Sequence, residues 1–232
     1  MKIEIWSDVM CPFCYIGKHN FENALEKLPF KDKVEVEWKS FQLDPTLEQG
    51  NAISTAQYFK DKKGFQEPQA QQMMNHVAEA GKAAGLEFNF SKALITNTFS
   101  AHKLLHLAKK YKKANEMEEL LFKAHFTEGK DVSDVNVLIN LASALELNEE
   151  EARKAVTSEE FDYEINQDIL EARNNGISSV PFFVLNGKYA VSGAQPVDVF
   201  KNALMQTYQE TASPFKNLSD AGNSCDEDGC AI

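Results

Sequence analysis

Ile3-Glu4-Ile5-Trp6-Ser7-Asp8-Val9-Met10-Cys11-Pro12-Phe13-Cys14 is the stretch that decides how this chain is read. Ile3-Glu4-Ile5 alternates with period two and predicts a strand. Phe21, Leu25 and Leu28, beyond the cysteines, recur near every fourth residue and predict a helix. Cys11 therefore falls where a strand feeds the N-terminus of a helix. The first backbone N–H groups of a helix lack internal partners, and the macrodipole places partial positive charge there. A thiolate at that point is stabilised. Pro12 suits the first helical turn, where its missing N–H removes nothing. Cys14 lies one turn on, within reach of the first sulfur. A stabilised attacking thiolate with a second thiol one turn later is the apparatus of thiol–disulfide exchange. A Cys-x-x-Cys pair can also be half of a zinc site, or two small buried hydrophobes. Zinc needs two more ligands, usually a second pair nearby. Nothing of that kind stands between residues 15 and 224, and the strand–helix context favours redox chemistry.

The composition is that of an ordinary globular protein: 232 residues, 43% apolar and 25% charged. That length suits one large domain or one domain with a sizeable insert. The net charge of −11 argues against a nucleic-acid partner, which needs a basic face. No apolar run approaches the length of a membrane span. Acidic residues near Met1 stand where a signal peptide has its apolar region, so the expected compartment is the cytoplasm. In a reducing compartment a cysteine pair is more often catalytic than structural.

Taken in order, Val34 to Lys39 alternates strictly and predicts a second strand, which Pro45 prevents from continuing. From about Ser54 to Asn175 the patterns are helical, with no convincing strand. Helices are expected over Thr55 to Lys63, Gln69 to Ala84, Asn97 to Lys113, Asn115 to Thr127, Val135 to Leu147 and Glu159 to Asn174. A short one starts at Asn148 with Glu151 three residues on. Strands return at Val180 to Leu185 and Lys188 to Val191. Asn186-Gly187 between them is a strong hairpin signal, because both turn positions need positive φ. Pro196 to Gln209 predicts a last helix. Residues 213–232 are rich in Ser, Asp, Asn and Gly and read as a mobile tail.

The order β-α-β, helical block, hairpin, helix is that of an α/β thioredoxin-like fold with a large all-helical insertion. Residues 1–50 and 176–212 would form the thioredoxin-like part and 51–175 the insertion. Trp6 to Gly17, with Cys11-Pro12-Phe13-Cys14 at its centre, resembles the signature of the FrnE-like branch of the DsbA family of thiol–disulfide oxidoreductases. Val180-Pro181 is the second anchor of the likeness. The resemblance implies a cis-proline facing the active-site sulfur, with the Val180 backbone pairing with a substrate peptide like an added strand. Pro181 can also be an ordinary strand-entry proline. The resemblance extends to Asn97-Thr98 through Ala101-His102, matching a segment that lies over the active site, which makes His102 a candidate pocket residue. DsbA-type oxidants carry a buried acid six positions before the first cysteine. Here that position is Ile5, so no proton-transfer acid carries over. Asp8 is close in sequence, and its loop position predicts solvation.

Other features have two readings each. Cys225 and Cys230 are either a second redox pair that exchanges with Cys11 or idle thiols in a tail. Their acidic neighbours disfavour the thiolate. His102 and His106, four apart on a helix, could hold a metal, but no acidic third ligand stands at the right spacing, and the expectation is no metal. Lys18 and His19 add positive potential near the sulfurs or are simply solvated. His76 and His125 have no motif around them.

The reading is a disulfide oxidoreductase or isomerase. Cys11 attacks a disulfide in a protein or peptide and Cys14 resolves the mixed disulfide. Pro12, Phe13, Val180, Pro181 and His102 are the candidate substrate contacts. No bound cofactor is expected; a thiol reductant recycles the pair, and glutathione is a candidate co-substrate. An exposed apolar face on the insertion could serve as a dimer surface. The alternative is a glutathione-dependent transferase or isomerase acting on a small molecule, similar to the kappa-class transferases and chromene-carboxylate isomerases. Such enzymes do not need Cys14, and Ala194-Gln195-Pro196 lacks charged side chains to grip glutathione.

Overall fold

The computed structural model describes residues 1–212. β1 (Lys2–Ser7) leads through a turn into α1 (Pro12–Leu25). A 3-10 turn, Lys31–Lys33, precedes β2 (Glu35–Ser40), which runs parallel to β1 with Ile5 beside Trp38. Then come β3 (Ile53–Ser54), α2 (Thr55–Lys63), α3 (Glu67–Ala83) and β4 (Leu94–Ile95). α4 (Phe99–Lys110) and α5 (Ala114–Phe122) follow, and α5 runs on into a π-helical turn, Lys123–Thr127. α6 (Val135–Ala144), α7 (Glu149–Thr157) and α8 (Asp162–Asn174) complete the insertion. β5 (Phe182–Leu185), β6 (Tyr189–Ser192) and α9 (Val197–Ala212) return to the sheet.

Side-chain caps set several of these starts. Ser54 accepts from the Gln57 N–H, Asp134 from Asn136 and Val137, and Asn148 from Glu151. Gly64 ends α2 in the left-handed conformation at φ 68°. Asn186 and Gly187 have φ of 51° and 64°, as the hairpin turn requires.

The sheet order is β2-β1-β5-β6, with β5 antiparallel to both β1 and β6. On one face Phe183 meets Phe200 of α9 edge-on at 4.6 Å, and Phe21 of α1 lies 5.5 Å from Phe183. Each such buried ring contributes about 1.5–3 kcal/mol relative to exposure. The apolar cluster that holds them runs on through Leu104 and Leu105 of α4 and Leu138 of α6. On the other face Trp6 Nε1 donates to the Asp168 carbonyl at 3.0 Å, and Asp168 Oδ2 accepts from Ser40 N at 2.9 Å. α8 is thereby fastened to the C-terminal ends of β1 and β2, beside the turn that leads from β1 to Cys11.

One expectation is corrected. The stretch between residues 54 and 175 does contain a strand: β4 pairs antiparallel with β3, Ile53 with Ile95 and Ser54 with Leu94. Two residues are too few to display an alternation, so no period could reveal it. No helix among the described residues is long and apolar enough to cross a membrane.

Candidate active site

The turn between β1 and α1 is built by Asp8. Its carbonyl accepts from Cys11 N at 2.9 Å. Its carboxylate accepts from Leu43 N at 2.7 Å and from Met10 N at 3.4 Å, tying the turn to the segment after β2. Asp8 is fully buried, which corrects the expectation of a solvated side chain. Two backbone N–H groups replace its water, and His102 Nε2 stands 3.7 Å away. Cys11 is the N-cap of α1, in extended conformation, with Pro12 in the first turn. The Cys11 carbonyl accepts from Cys14 N at 3.0 Å, so α1 begins between the two cysteines.

Both cysteines are free thiols. Cys11 is 5% exposed and Cys14 1%. Burial, and after it hydrogen bonding to Cys11, push the Cys14 thiol well above the usual range. Cys11 Sγ donates to the Val180 carbonyl at 3.6 Å. The Val180–Pro181 peptide bond is cis. α1 approaches this loop so closely that a Cβ on Gly17 would lie 2.8 Å from Pro181 Cγ. Phe13 is 42% exposed beside the sulfurs. Cys11, Cys14, Pro12, Phe13, Val180 and Pro181, dispersed over 170 residues of sequence, thus form one patch.

A residue the sequence reading missed lies beneath them. Glu118 of α5 is fully buried, and its Oε1 accepts from Ser7 Oγ at 2.7 Å. Ser7 also acts on Cys14, favouring its ionised form against the effect of burial. Burial raises the Glu118 carboxyl above the usual carboxylate range, and the bond from Ser7 opposes this only in part. Its Oε2 has no hydrogen-bond partner. A signal was present: Glu118 falls on the buried stripe of Met117, Leu121 and Phe122, where an acid is out of place.

His102, expected to line the pocket, is buried, with Nε2 at 2.9 Å from the Phe41 carbonyl. His106 Nε2 lies 3.2 Å from Asp168 and 3.1 Å from Ser40 Oγ. The two histidines face different partners and brace the segments around the site. Lys18, for which solvation is one of two readings from the sequence, is buried and bonds Glu22 at 2.9 Å and Glu119 at 2.7 Å. Tyr15 donates to Glu119 at 2.6 Å. Burial alone would raise the Glu119 carboxyl, but hydrogen bonds from His19, Lys18 and Tyr15 bring it down to about 2. His19, Glu22 and Glu119 are close enough to share a metal ion, but the Lys18 ammonium already bonds both carboxylates. Cys225 and Cys230 lie outside the described residues.

Comparison with known proteins agrees with this geometry. The family model described as the DSBA-like thioredoxin domain matches residues 2–205. The probable DsbA oxidoreductase SCO1869 of Streptomyces coelicolor is 36% identical, with a TM-score of 0.87 over 100% of this chain and 99% of its own. The uncharacterized protein YwbO of Bacillus subtilis (strain 168) is 29% identical over 88% of this chain and 96% of its own. The cytosolic disulfide reductase DsbM of Pseudomonas aeruginosa shares the fold at 15% identity, with a TM-score of 0.67 over 90% of this chain and 100% of its own.

Proposed function

The chain belongs to the DSBA-like thioredoxin domain family, and from that premise we propose that it exchanges disulfides with protein or peptide substrates through Cys11 and Cys14. The observation that carries this reading is the inequality of the two sulfurs. Cys11 caps α1 at the edge of the patch, whereas Cys14 lies beneath it with its thiol held protonated.

The Cys11 thiolate attacks one sulfur of a substrate disulfide. The S–S bond breaks, a mixed disulfide forms, and the departing substrate sulfur takes up a proton. The Cys14 thiol then gives its proton to Glu118 by way of the Ser7 hydroxyl and attacks Cys11 Sγ. A Cys11–Cys14 disulfide forms and the second substrate thiolate leaves. The substrate gains two electrons and the pair loses two. A thiol reductant of the cytoplasm restores the pair, and run backwards the same steps oxidise a dithiol. Glutathione is a fitting reductant; a solved structure of DsbM, which shares the fold, is of that protein with GSH. The Val180 carbonyl, which holds the Cys11 thiol, can pair with an extended substrate backbone. Pro12 and Phe13 offer the surface beside it.

The glutathione-transferase alternative gives no task to a second cysteine under the first, nor to an acid joined to it. The test is reduction of insulin disulfides by dithiothreitol, beside a glutathione-conjugation assay. Catalysis lost in both Cys11→Ser and Cys14→Ser supports dithiol exchange. Conjugation that survives in Cys14→Ser, with no insulin reduction, moves the protein to the transferase side.

A further inference from the structure

Beside the active-site turn lies a cavity of about 220 Å³. Met10 and Pro12, on either side of Cys11, form one wall; Tyr58, Met74, Val77 and His125 form others. The lining is mainly apolar apart from the exposed Lys63, whose Nζ stands 5.9 Å from the Tyr58 ring, and its hydroxyls are engaged: Tyr58 bonds Asp44 and Thr55 bonds the Ala93 carbonyl. His125 is the exception. It is fully buried, and neither Nδ1 nor Nε2 has a hydrogen-bond partner. Its ring stands edge-on to Phe126 at 4.4 Å. Burial brings its pKa down to about 4, against the opposing influence of Asp8 and Asp131. The ring is therefore neutral at pH 7 and offers one donor and one acceptor. Native proteins seldom leave such atoms unpaired. The backbone that presents it is also unusual. His125 sits in the π-helical turn Lys123–Thr127, a conformation concentrated at functional sites.

We propose that this cavity binds a phenol, an uncharged aromatic ring carrying one hydroxyl. The volume suits a substituted single ring, since an apolar cavity of about 150 Å³ accepts benzene. The hydroxyl donates to the acceptor nitrogen of His125 or accepts from its N–H, and a charged group placed against that buried neutral ring would forfeit its hydration. Because Met10 and Pro12 bracket Cys11, the bound ring lies beside the reacting sulfur. The phenol comes either from a tyrosine next to a substrate half-cystine, which rests on the disulfide-exchange reading, or from a free small molecule, which does not.

The test is calorimetric titration of the full chain at pH 7 with p-cresol and with toluene, followed by the His125 ring nitrogen resonances. The expected result is binding of p-cresol roughly tenfold or more tighter than toluene, the equivalent of about 1.4 kcal/mol, with the His125 nitrogens shifted. His125→Phe removes the preference, and Ala93→Leu, which fills the cavity, weakens both ligands. Equal affinities in the wild type, or p-cresol binding that leaves His125 unmoved, would overturn the proposal even if neither variant folds. Disulfide-linked peptides with Tyr, Phe or Ser beside the half-cystine separate the sources. A Tyr preference in kcat/KM that vanishes in His125→Phe assigns the peptide, and equal rates with p-cresol still bound assign the free molecule. Binding is read without turnover, so failure of disulfide exchange and failure of the cavity assignment are seen separately.

Discussion

Ser7 Oγ donates a 2.7 Å hydrogen bond to Glu118 Oε1 across 111 residues of sequence. Ser7 is the last residue of β1 and also favours ionisation of the Cys14 thiol, so a carboxyl from the helical insertion is coupled through Ser7 to the second cysteine. Glu118→Gln keeps the shape and removes the proton acceptor. Resolution of the mixed disulfide by Cys14 should slow by about 10²-fold or more, the usual scale for a positioned base. Attack by Cys11 should change little. Stopped-flow measurement of the two steps checks this; equal slowing of both would remove Glu118 from the relay.

The same residue makes a stability prediction. The folded-state pKa of Glu118 is raised, so its protonated form is favoured by folding. That contribution is present at low pH and is lost as pH rises through the raised value. Glu118→Gln, which never ionises, should therefore gain stability over the wild type as pH rises above the unfolded value of about 4.3. Urea midpoints above that value read the difference.

Asp168 behaves in the opposite sense. Burial would raise its carboxyl, but the hydrogen bond with His106 and the charge of Lys109 hold it below the usual range. Its stabilising contribution is present above the unfolded value of about 3.9 and disappears as pH falls through the lower folded value. Asp168→Ala leaves the buried Ser40 N–H without its acceptor and removes the carboxylate beside His106 and Lys109, and should destabilise the fold by about 1–3 kcal/mol at pH 7. The deficit should shrink below about pH 4. A variant equal to wild type in urea at pH 7 would contradict the role given to this clamp.

Gly17 is needed for a close approach. A Cβ there would lie 2.8 Å from Pro181 Cγ and 3.4 Å from Phe183 Cζ. Gly17→Ala should lower stability by about 1–3 kcal/mol, the usual range for overpacking, and reduce insulin reduction by separating Cys11 from Val180. Thermal unfolding and activity should fall together; an unaffected variant would mean the contact is loose.

Alkylation distinguishes the two sulfurs. Cys14 is less exposed and its thiol is held protonated. Iodoacetamide at pH 7 should therefore modify Cys11 at least about tenfold faster than Cys14 in the folded protein. Fragment masses of the peptide containing both cysteines give the ratio, and comparable rates would contradict the geometry.

Much of this was legible in the sequence because it was local. Cys11 as the start of a helix follows from two adjoining periodicities, and the hairpin follows from Asn186-Gly187, whose chemistry acts over two residues. The apolar positions Ala101, Leu104, Leu105 and Ala108 of α4 are buried as their spacing predicts. What was not legible depends on distant partners. Asp8 is buried because Leu43 N reaches it, Lys18 because Glu119 does, and Glu118 meets Ser7 only once the insertion is folded. Leu94–Ile95 is too short to show a period. His125 carries no motif, because its distinction is an unpaired side chain in a π-helical turn.

The most direct measurement is intact-protein mass spectrometry of Cys14→Ser after incubation with a disulfide-linked peptide. The variant should carry one peptide through Cys11, stable until a reductant is added, while wild type releases it and gains the Cys11–Cys14 disulfide. Cys225→Ser and Cys230→Ser in both backgrounds confine the adduct to Cys11. A Cys14→Ser protein that carries no peptide, or releases it as fast as wild type, would contradict the resolving role of Cys14.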